Sequence, residues 1–271
     1  MKLRILGCSG GIGGNLRTTS MLLDSDVLID AGTGVGDLSL RELSLIDHVF
    51  ITHSHLDHIA SIPLLVDSAG FMRDKPLIIY AIEETLEILR QHIFNWKIWP
   101  DFTQIPDSQR PYMCYHSIRV GEAVELETFQ KSSISHGAGS EISLVRKITA
   151  FPANHVVPAV GYWLDSGKGS LIFSGDTTAN DELWKVVNRA GNLRYLIIET
   201  AFSNAEKELA VVSKHLCPSM LADELKKLKC NPEIFITHLK PGEVELTMQE
   251  IYECVQGVIP EMLQNGKVFE F

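Results

Sequence analysis

The chain has 271 residues, of which 45% are apolar, and a formal net charge of −10. That length can bury one large core or two modest ones. Because no Pro-, Gly- or Ser-rich linker and no block of like charge divides it, we predict one domain over residues 1–271. The acidic balance, with no basic cluster beyond Lys226, Lys227 and Lys229, argues against a long nucleic acid as partner.

Cysteine usage and apolar runs indicate the compartment. The five cysteines are odd in number and widely spaced, with no Cys-x-x-Cys pair, which predicts reduced thiols rather than a zinc ribbon or a redox centre. No apolar run approaches the length of a membrane span, and residues 1–4 lead into a short strand rather than a signal peptide. We expect a soluble, cytoplasmic protein that does not contact a membrane.

The predicted elements give strands first and then a mixture of strands and helices, in both halves of the chain. Short β-rich words predict strands at 3–6, 19–23, 27–29, 45–51, 77–80, 160–164, 171–174, 195–198 and 234–237. Helical patterns occur at 37–43, 60–69, 83–94, 181–190, 218–228 and 243–258. This order predicts an α/β fold.

Four metal-capable side chains lie within six residues, directly after the apolar run at 45–51. The segment reads His53-Ser54-His55-Leu56-Asp57-His58. Neutral imidazole and carboxylate groups bind first-row divalent metals, and a strand that opens into a tight turn can direct alternate side chains at two neighbouring points. We predict a two-metal site at the carboxyl end of a strand, where α/β proteins commonly place their chemistry.

Further metal-capable residues stand beside later strands. His155 precedes the strand at 160–164, and Asp176 follows a Ser-Gly pair whose glycine lets the backbone turn, so that its carboxylate can bridge two metals. His238 ends the segment Phe-Ile-Thr-His at 235–238, and the same four residues occur at 50–53, where they end at His53. The repeated word favours a pseudo-symmetric sandwich of two sheets with the site along one edge.

In this order, the six-residue motif, the lone His155, the Ser-Gly-Asp and the final Thr-His resemble the metallo-β-lactamase superfamily over nearly the whole chain. The resemblance implies a four-layer αββα sandwich, with two mixed sheets and flanking helices, and an insertion at about residues 92–120. It implies one metal held by His53, His55 and His155, a second held by Asp57, His58 and His238, and Asp176 as the bridging ligand.

The resemblance also implies a residue outside the ligand set. Asp30 ends the strand word at 27–30 and matches the position that hydrogen-bonds a ligand histidine. An ordinary turn aspartate is the alternative. The histidine-rich donor set suits two zinc ions, with manganese or iron in the aspartate-containing half as the alternative. A homodimer, common among relatives, stays open.

Residues 53–69 are similar to the signature of class II 3′,5′-cyclic-nucleotide phosphodiesterases, mainly in Leu56 and the Ser68-Ala69 pair, while Pro63 departs from it. The aromatic segment 94–102 resembles that family's insertion. Trp99 and Phe102 are therefore candidates for stacking the base of a cyclic nucleotide. A plain aromatic core patch is the alternative.

Glu199 and His215 resemble the Glu and His of phosphodiesterase branches, with a surface or capping histidine as the alternative. The resemblance implies hydrolysis of cyclic AMP or cyclic GMP to the 5′-nucleotide by metal-activated hydroxide attack on phosphorus. Asp57 would orient the hydroxide, and His215 would protonate the leaving oxygen. His136, in a flexible loop, either touches substrate or competes with His155 as third ligand.

Other functions remain open from the sequence. Residues 155–162 and His215 also resemble ribonuclease Z, although the acidic chain lacks the basic arm that a tRNA enzyme should carry. Thioester or lactone hydrolysis and a non-catalytic metal scaffold are further alternatives. The glycine-rich start at 7–15 lacks the spacing of a nucleotide loop, so we expect a permissive turn that borders the site.

Overall fold

Two seven-stranded sheets form the centre of the protein, which is described here from a computed structural model covering residues 1–131 and 141–271. His136, a predicted substrate contact, lies outside the described residues. The strand order is β14-β1-β2-β3-β4-β5-β6 in the first sheet and β13-β12-β11-β10-β9-β8-β7 in the second.

The strands are β1 (Lys2–Gly7), β2 (Ser20–Leu23), β3 (Val27–Ala31), β4 (His48–Phe50), β5 (Leu77–Ala81), β6 (Met113–Ser117), β7 (Ala123–Lys131), β8 (Glu141–Ala153), β9 (Ala159–Asp165), β10 (Ser170–Phe173), β11 (Leu193–Glu199), β12 (Glu233–Thr237), β13 (Glu261–Met262) and β14 (Val268–Glu270). The α-helices are α1 (Leu40–Leu45), α2 (Leu56–Ile59), α3 (Ile62–Ala69), α4 (Glu83–Ile88), α5 (Asp181–Arg189), α6 (Lys207–Ser213), α7 (Pro218–Leu225) and α8 (Val244–Cys254).

Both sheets follow the same pairing plan. In the first sheet, β14, β1, β2 and β3 pair antiparallel, whereas β3 to β6 pair parallel. In the second sheet, β7 to β10 pair antiparallel and β10 to β13 pair parallel. This repetition agrees with the pseudo-symmetric two-sheet sandwich that the repeated Phe-Ile-Thr-His word predicted.

Alternation along the strands distributes apolar side chains among three cores. Ile29 and Phe50 face Tyr162 and Phe173 between the two sheets. Leu28, next to Ile29, points the other way and joins a core beneath α1, α2 and α3. A third core lies beneath α5, α7 and α8 on the outer face of the second sheet. The four-layer αββα arrangement is therefore confirmed.

The predicted elements differ from the structure mainly at their ends. The helix predicted over 37–43 begins instead after Ser39, whose side chain accepts a hydrogen bond from the Glu42 N–H while the Glu42 carboxylate accepts from the Ser39 N–H. The helix predicted over 83–94 is regular only to Ile88 and continues as a π turn over Leu89–Ile93. Strands β6, β7, β8, β13 and β14 were not predicted.

Local sequence gives a physical reason for the missed pair β7–β8. These strands belong to a hairpin whose connection is longer than the two-residue turn that normally signals one. The sequence of β7 also contains two glutamates on one face, and this pattern does not predict a buried strand. Within the described ranges, no helix combines the length and the apolar character needed to cross a membrane.

Tyr162 links the two sheets directly beneath the motif at 53–58. Its side chain is fully buried, and its hydroxyl donates to the Ile51 carbonyl at 2.8 Å. We expect Tyr162→Phe to leave that carbonyl without its partner and to lower the free energy of unfolding by about 1–3 kcal/mol. Urea titration measures the change, with Tyr252→Phe, at a side chain that is 53% exposed, as control. Equal effects for the two variants would contradict this role.

Candidate metal centre

Strand ends from both sheets meet at one edge of the sandwich. Asp30 lies near the end of β3, and His53 follows β4 in the first sheet. In the second sheet, Asp176 follows β10, Glu199 ends β11 and His238 follows β12. Since the strands are parallel within each of these groups, their carboxyl ends lie side by side, as expected for an α/β active site.

The predicted ligands form two clusters in which the ligand atoms lie within 4.8 Å of one another. One cluster contains His53, His55 and His155. The other contains Asp57, His58, Asp176 and His238. Helix α2 explains part of this grouping, because it begins after His55 and its first turn carries Asp57 and His58.

Asp176 lies between the two clusters. Its Oδ2 atom is 3.3 Å from Nε2 of His238, 3.4 Å from Nε2 of His58 and 3.8 Å from Nε2 of His53. One carboxylate oxygen thus approaches imidazoles of both predicted metal sets. This is the position that a bridging ligand requires.

Unpartnered imidazole nitrogens in the two clusters indicate that these residues suit divalent metal ions. Nε2 of His53 and Nε2 of His58 are buried and lack a hydrogen-bond partner. Leaving such atoms unsatisfied is costly, and one metal ion in each cluster would satisfy them. Tetrahedral ligands about 2.0–2.1 Å from zinc lie about 3.4 Å apart, which is close to the spacings around Asp176.

The outer nitrogens of two of these imidazoles are fixed by a buried network. His58 Nδ1 lies 2.7 Å from Asp30 Oδ2. Thr52 donates its hydroxyl to the same oxygen at 2.9 Å and its N–H to Asp30 Oδ1 at 2.8 Å. His53 Nδ1 lies 3.0 Å from the Thr52 hydroxyl, which can accept its proton. These contacts orient the rings and leave each Nε2 toward the centre.

His155 is held by a different residue. Its Nδ1 lies 3.2 Å from the carbonyl of Lys214, while the Lys214 ammonium donates to the His155 carbonyl at 3.0 Å. The ring therefore presents Nε2 to the centre, 3.2 Å from His55 Nδ1. Lys214 takes the left-handed conformation at the end of α6.

Burial keeps most ligand imidazoles neutral, as metal binding requires. It lowers the pKa of His155 to about 4 and that of His238 to about 3, and it holds the pKa of His53 well below its ordinary value. His58 differs: burial opposes its charge, but the carboxylates of Asp176 and Asp30 outweigh burial and raise its pKa well above the ordinary value. A metal at Nε2 would displace that proton.

His215 and Glu199 form a pair next to the ligands. His215 Nδ1 lies 2.7 Å from Glu199 Oε1, which also accepts the Thr177 N–H at 3.0 Å. The His215 ring stacks on His238 with centroids 5.1 Å apart. Burial opposes protonation of His215, but the Glu199 carboxylate outweighs it and raises the pKa of the imidazole. The alternative of a surface histidine is therefore wrong.

Two glycines allow the backbone to approach the centre. Gly10, in the glycine-rich start, donates its N–H to the Leu239 carbonyl at 3.0 Å, and a Cβ there would lie 2.4 Å from the His238 carbonyl. Gly175, before Asp176, has φ +62, and a Cβ there would lie 2.5 Å from the Val160 carbonyl. The glycine-rich start thus borders the site, as the sequence predicted.

The aromatic candidates lie elsewhere. Phe102 is 4% exposed within the core beneath α1 to α3, and Trp99 packs against that core. Within the described residues, neither forms a hydrogen bond or a ring contact with a metal-capable side chain of the centre. Their placement corrects the expectation of base stacking for Phe102, because a buried ring cannot stack on a substrate, and it favours the aromatic core patch for both.

Sequence reasoning missed Thr52 and Lys214, which position histidines that are predicted to be ligands. Thr52 carried a signal, since the repeated word ends in Thr-His in both copies, and Thr237 likewise bonds the neighbouring loop through the Cys8 carbonyl at 3.1 Å. Lys214 carried none, because its role depends on a backbone carbonyl placed by the turn after α6.

Sequence comparison supports the predicted family resemblance. Residues 42–167 match the model of the family described as class-II cAMP phosphodiesterases. A probable 3′,5′-cyclic-nucleotide phosphodiesterase of Yersinia pestis is 26% identical over 73% of this chain, which spans 58% of that relative's length. A ribonuclease Z of Methanococcus aeolicus is 25% identical over 95% of the chain and 91% of its own length.

Structure comparison gives the fold. The crystal structure of unliganded yeast PDE1 aligns with a TM-score of 0.77 at 18% identity, covering 100% of this chain and 99% of that one. The metallo-β-lactamase fold protein YhfI from Bacillus subtilis aligns with a TM-score of 0.72 at 18% identity, covering 100% and 98%. The chain therefore has the metallo-β-lactamase fold, as the resemblance predicted.

The network around Asp30 yields a prediction for metal affinity. Asp30→Asn removes the charge that holds His58 and Thr52 but keeps the side-chain size. We expect zinc affinity to fall by about tenfold to a hundredfold, the usual effect of losing such a partner. Competition with a chromophoric chelator measures the affinity, with Asp37→Asn, at a carboxylate that pairs with Arg17, as control. Unchanged zinc affinity in Asp30→Asn would remove Asp30 from the metal-positioning network.

Proposed function

We propose that this chain, which has the metallo-β-lactamase fold and a segment similar to class II cyclic-nucleotide phosphodiesterases, is a dinuclear-metal phosphodiesterase. It would hydrolyse 3′,5′-cyclic AMP or cyclic GMP to the 5′-nucleotide. The observation that carries the proposal is the Asp176 carboxylate between two ligand clusters, in a chain whose residues 42–167 match that family. A small-molecule substrate and a cytoplasmic location belong to the same proposal.

The two clusters would hold two ions, zinc in first place because imidazoles dominate the donor set. His53, His55 and His155 would hold one, and Asp57, His58 and His238 the other, with Asp176 shared. When bound, such ions polarise phosphoryl oxygens and supply a nucleophile from water near neutral pH. Side chains of the protein would orient the attacking water and protonate the leaving oxygen.

Asp57 is suited to orient the nucleophilic water. Its side chain is 27% exposed, so it faces the solvent side of the centre, whereas the Asp176 side chain is buried. Burial opposes the charge of Asp57, but His58 and His238 outweigh it and lower the pKa of the carboxyl, which therefore remains an acceptor at neutral pH. A carboxylate in this position can accept a proton of the attacking water and align it with phosphorus.

His215 is suited to protonate the leaving ribose oxygen. Glu199 engages Nδ1, so the proton available to substrate is the one on Nε2. The raised pKa of His215 keeps part of the population protonated near neutral pH, as a general acid requires. Its ring lies within 5.1 Å of both His155 and His238, measured between ring centroids, so the acid stands beside the ligands.

Ribonuclease Z-like cleavage of tRNA is the second candidate, because the Methanococcus relative matches almost the whole chain. The net charge of −10 opposes it, since binding a long phosphate backbone depends on clustered lysine and arginine. Thioester or lactone hydrolysis could use the same centre and is tested by the same assay.

A substrate panel separates these candidates. We expect zinc- or manganese-loaded protein to hydrolyse cyclic AMP or cyclic GMP and not precursor tRNA. His55→Ala, which removes one ligand of the first cluster, should lose both metal and turnover. Metal content by mass spectrometry and product by chromatography measure the two effects. Cleavage of tRNA alone would favour the second candidate, and turnover retained after metal loss would refute the metal mechanism.

The proton donor has its own test. We expect His215→Asn to lower kcat by about a hundredfold while metal content stays unchanged, the usual scale for losing a positioned acid. In the wild type, kcat should fall as pH rises through the raised pKa of His215, because the acid form is lost. The variant should lack this limb of the pH profile. A variant that keeps it would show that another group supplies the proton.

A further inference from the structure

Lys240 places an ammonium group at the edge of the metal centre. Its Nζ atom lies 3.5 Å from Nε2 of His238, the same nitrogen that approaches Asp176 at 3.3 Å. Neither the ligand clusters nor the proton donor includes this lysine. Its position therefore raises the question of what the positive charge binds.

The Lys240 ammonium is held in place by contacts with the glycine-rich start and with Phe202. It donates to the Gly10 carbonyl at 2.7 Å and lies 5.9 Å from the centre of the Phe202 ring. The Lys240 backbone N–H donates to the Ala201 carbonyl at 3.0 Å. Gly10 can lie this close to His238 only because it lacks a Cβ. The glycine-rich start therefore also positions the Lys240 ammonium, which donates to the Gly10 carbonyl.

Lys240 differs from two other cations with buried side chains in lacking a carboxylate partner. Arg146 pairs with Asp26 at 2.6 Å, and Arg73 pairs with Asp47 at 2.6 Å. Among residues 1–127 and 145–271, whose side chains the structure describes, no carboxylate oxygen forms an ion pair with the Lys240 ammonium within 4.0 Å. An ammonium has three N–H donors. The Gly10 carbonyl accepts one and His238 Nε2 lies within reach of a second, so a third is available to a ligand.

We propose that Lys240 binds a non-bridging oxygen of an anionic phosphoryl group and makes the centre selective for phosphodiesters over neutral esters and lactones. This inference rests on the proposed phosphodiesterase function. A fixed ammonium next to the ligands strengthens the binding of an anion through a charged hydrogen bond. A neutral carbonyl substrate gains much less from it.

Binding of inorganic phosphate to zinc-loaded protein tests the proposal without turnover. We expect Lys240→Met to weaken phosphate binding by about tenfold or more and Lys240→Arg to retain most of it, because Arg keeps the charge. Calorimetry gives the dissociation constants. Lys168→Met, at an exposed lysine before the start of β10, removes an equal charge at the other end of the strand and should have little effect.

Metal content and thermal unfolding of each variant show whether Lys240 is only structural. If Lys240→Met loses zinc or unfolds at a clearly lower temperature than Lys240→Arg, the charge supports the site itself and the proposal is overturned. Unchanged phosphate affinity in a zinc-loaded Lys240→Met protein overturns it as well.

Selectivity is tested on two model substrates, the anionic bis(p-nitrophenyl) phosphate and the neutral p-nitrophenyl acetate. We expect Lys240→Met to lower kcat/KM for the phosphate diester at least about tenfold more than for the acetate ester. Equal losses on both would overturn the selectivity. Should the wild type hydrolyse no phosphodiester, the proposed function fails, whereas the phosphate titration still decides the role of Lys240.

Discussion

The centre depends on one buried carboxylate that faces imidazoles from two sheets. Asp176 has three histidine nitrogens within 3.8 Å of a single oxygen, and it reaches them from the second sheet while two of the three histidines follow β4 of the first. Burial alone would disfavour its charge, yet the nearby histidines outweigh burial and hold its pKa well below the ordinary value. The anion therefore persists in a buried site, and its charge is what a pair of divalent ions would neutralise.

Keeping the sheets in register is the structural condition for this contact. Tyr162 joins β9 to the backbone at Ile51, and the loop at Cys8 accepts the His238 N–H at 2.8 Å. Each sheet also has a non-glycine residue with a positive φ at or next to a strand end. The φ angle is 57° at Asp30 and 66° at His238. Such conformations cost about 1–2 kcal/mol each, which the surrounding hydrogen bonds and packing must offset. Strain of this kind is typical of sites where side-chain direction matters more than stability.

The roles proposed for the side chains of the centre follow from their exposure to solvent. Asp176 and His58 are enclosed and determine where charge can reside, whereas Asp57 and Lys240 are partly exposed and can reach a substrate. The enclosed groups must be satisfied before any substrate arrives, because an unpaired buried charge is costly. The accessible groups can retain unused donors or acceptors, since water serves them until a phosphoryl group replaces it.

The sequence by itself, through its motifs and the family that they resemble, determined the candidate ligand set and the expected layered fold. His53, His55, Asp57 and His58 are neighbours in the chain, so a single strand and turn bring them together whatever the rest of the fold does. The order of strands and helices and the repeated Phe-Ile-Thr-His segment likewise predicted two sheets. Contacts such as Thr52 to Asp30, Lys214 to His155 and Lys240 to Gly10 were decided only by the tertiary structure. Each joins residues distant in sequence, the first through the Asp30 carboxylate and the other two through backbone carbonyls, and side-chain identity gives no local signal for such a contact. The aromatic segment at 94–102 shows the converse, since composition suits a core and a binding surface equally, and only packing placed Phe102 inside.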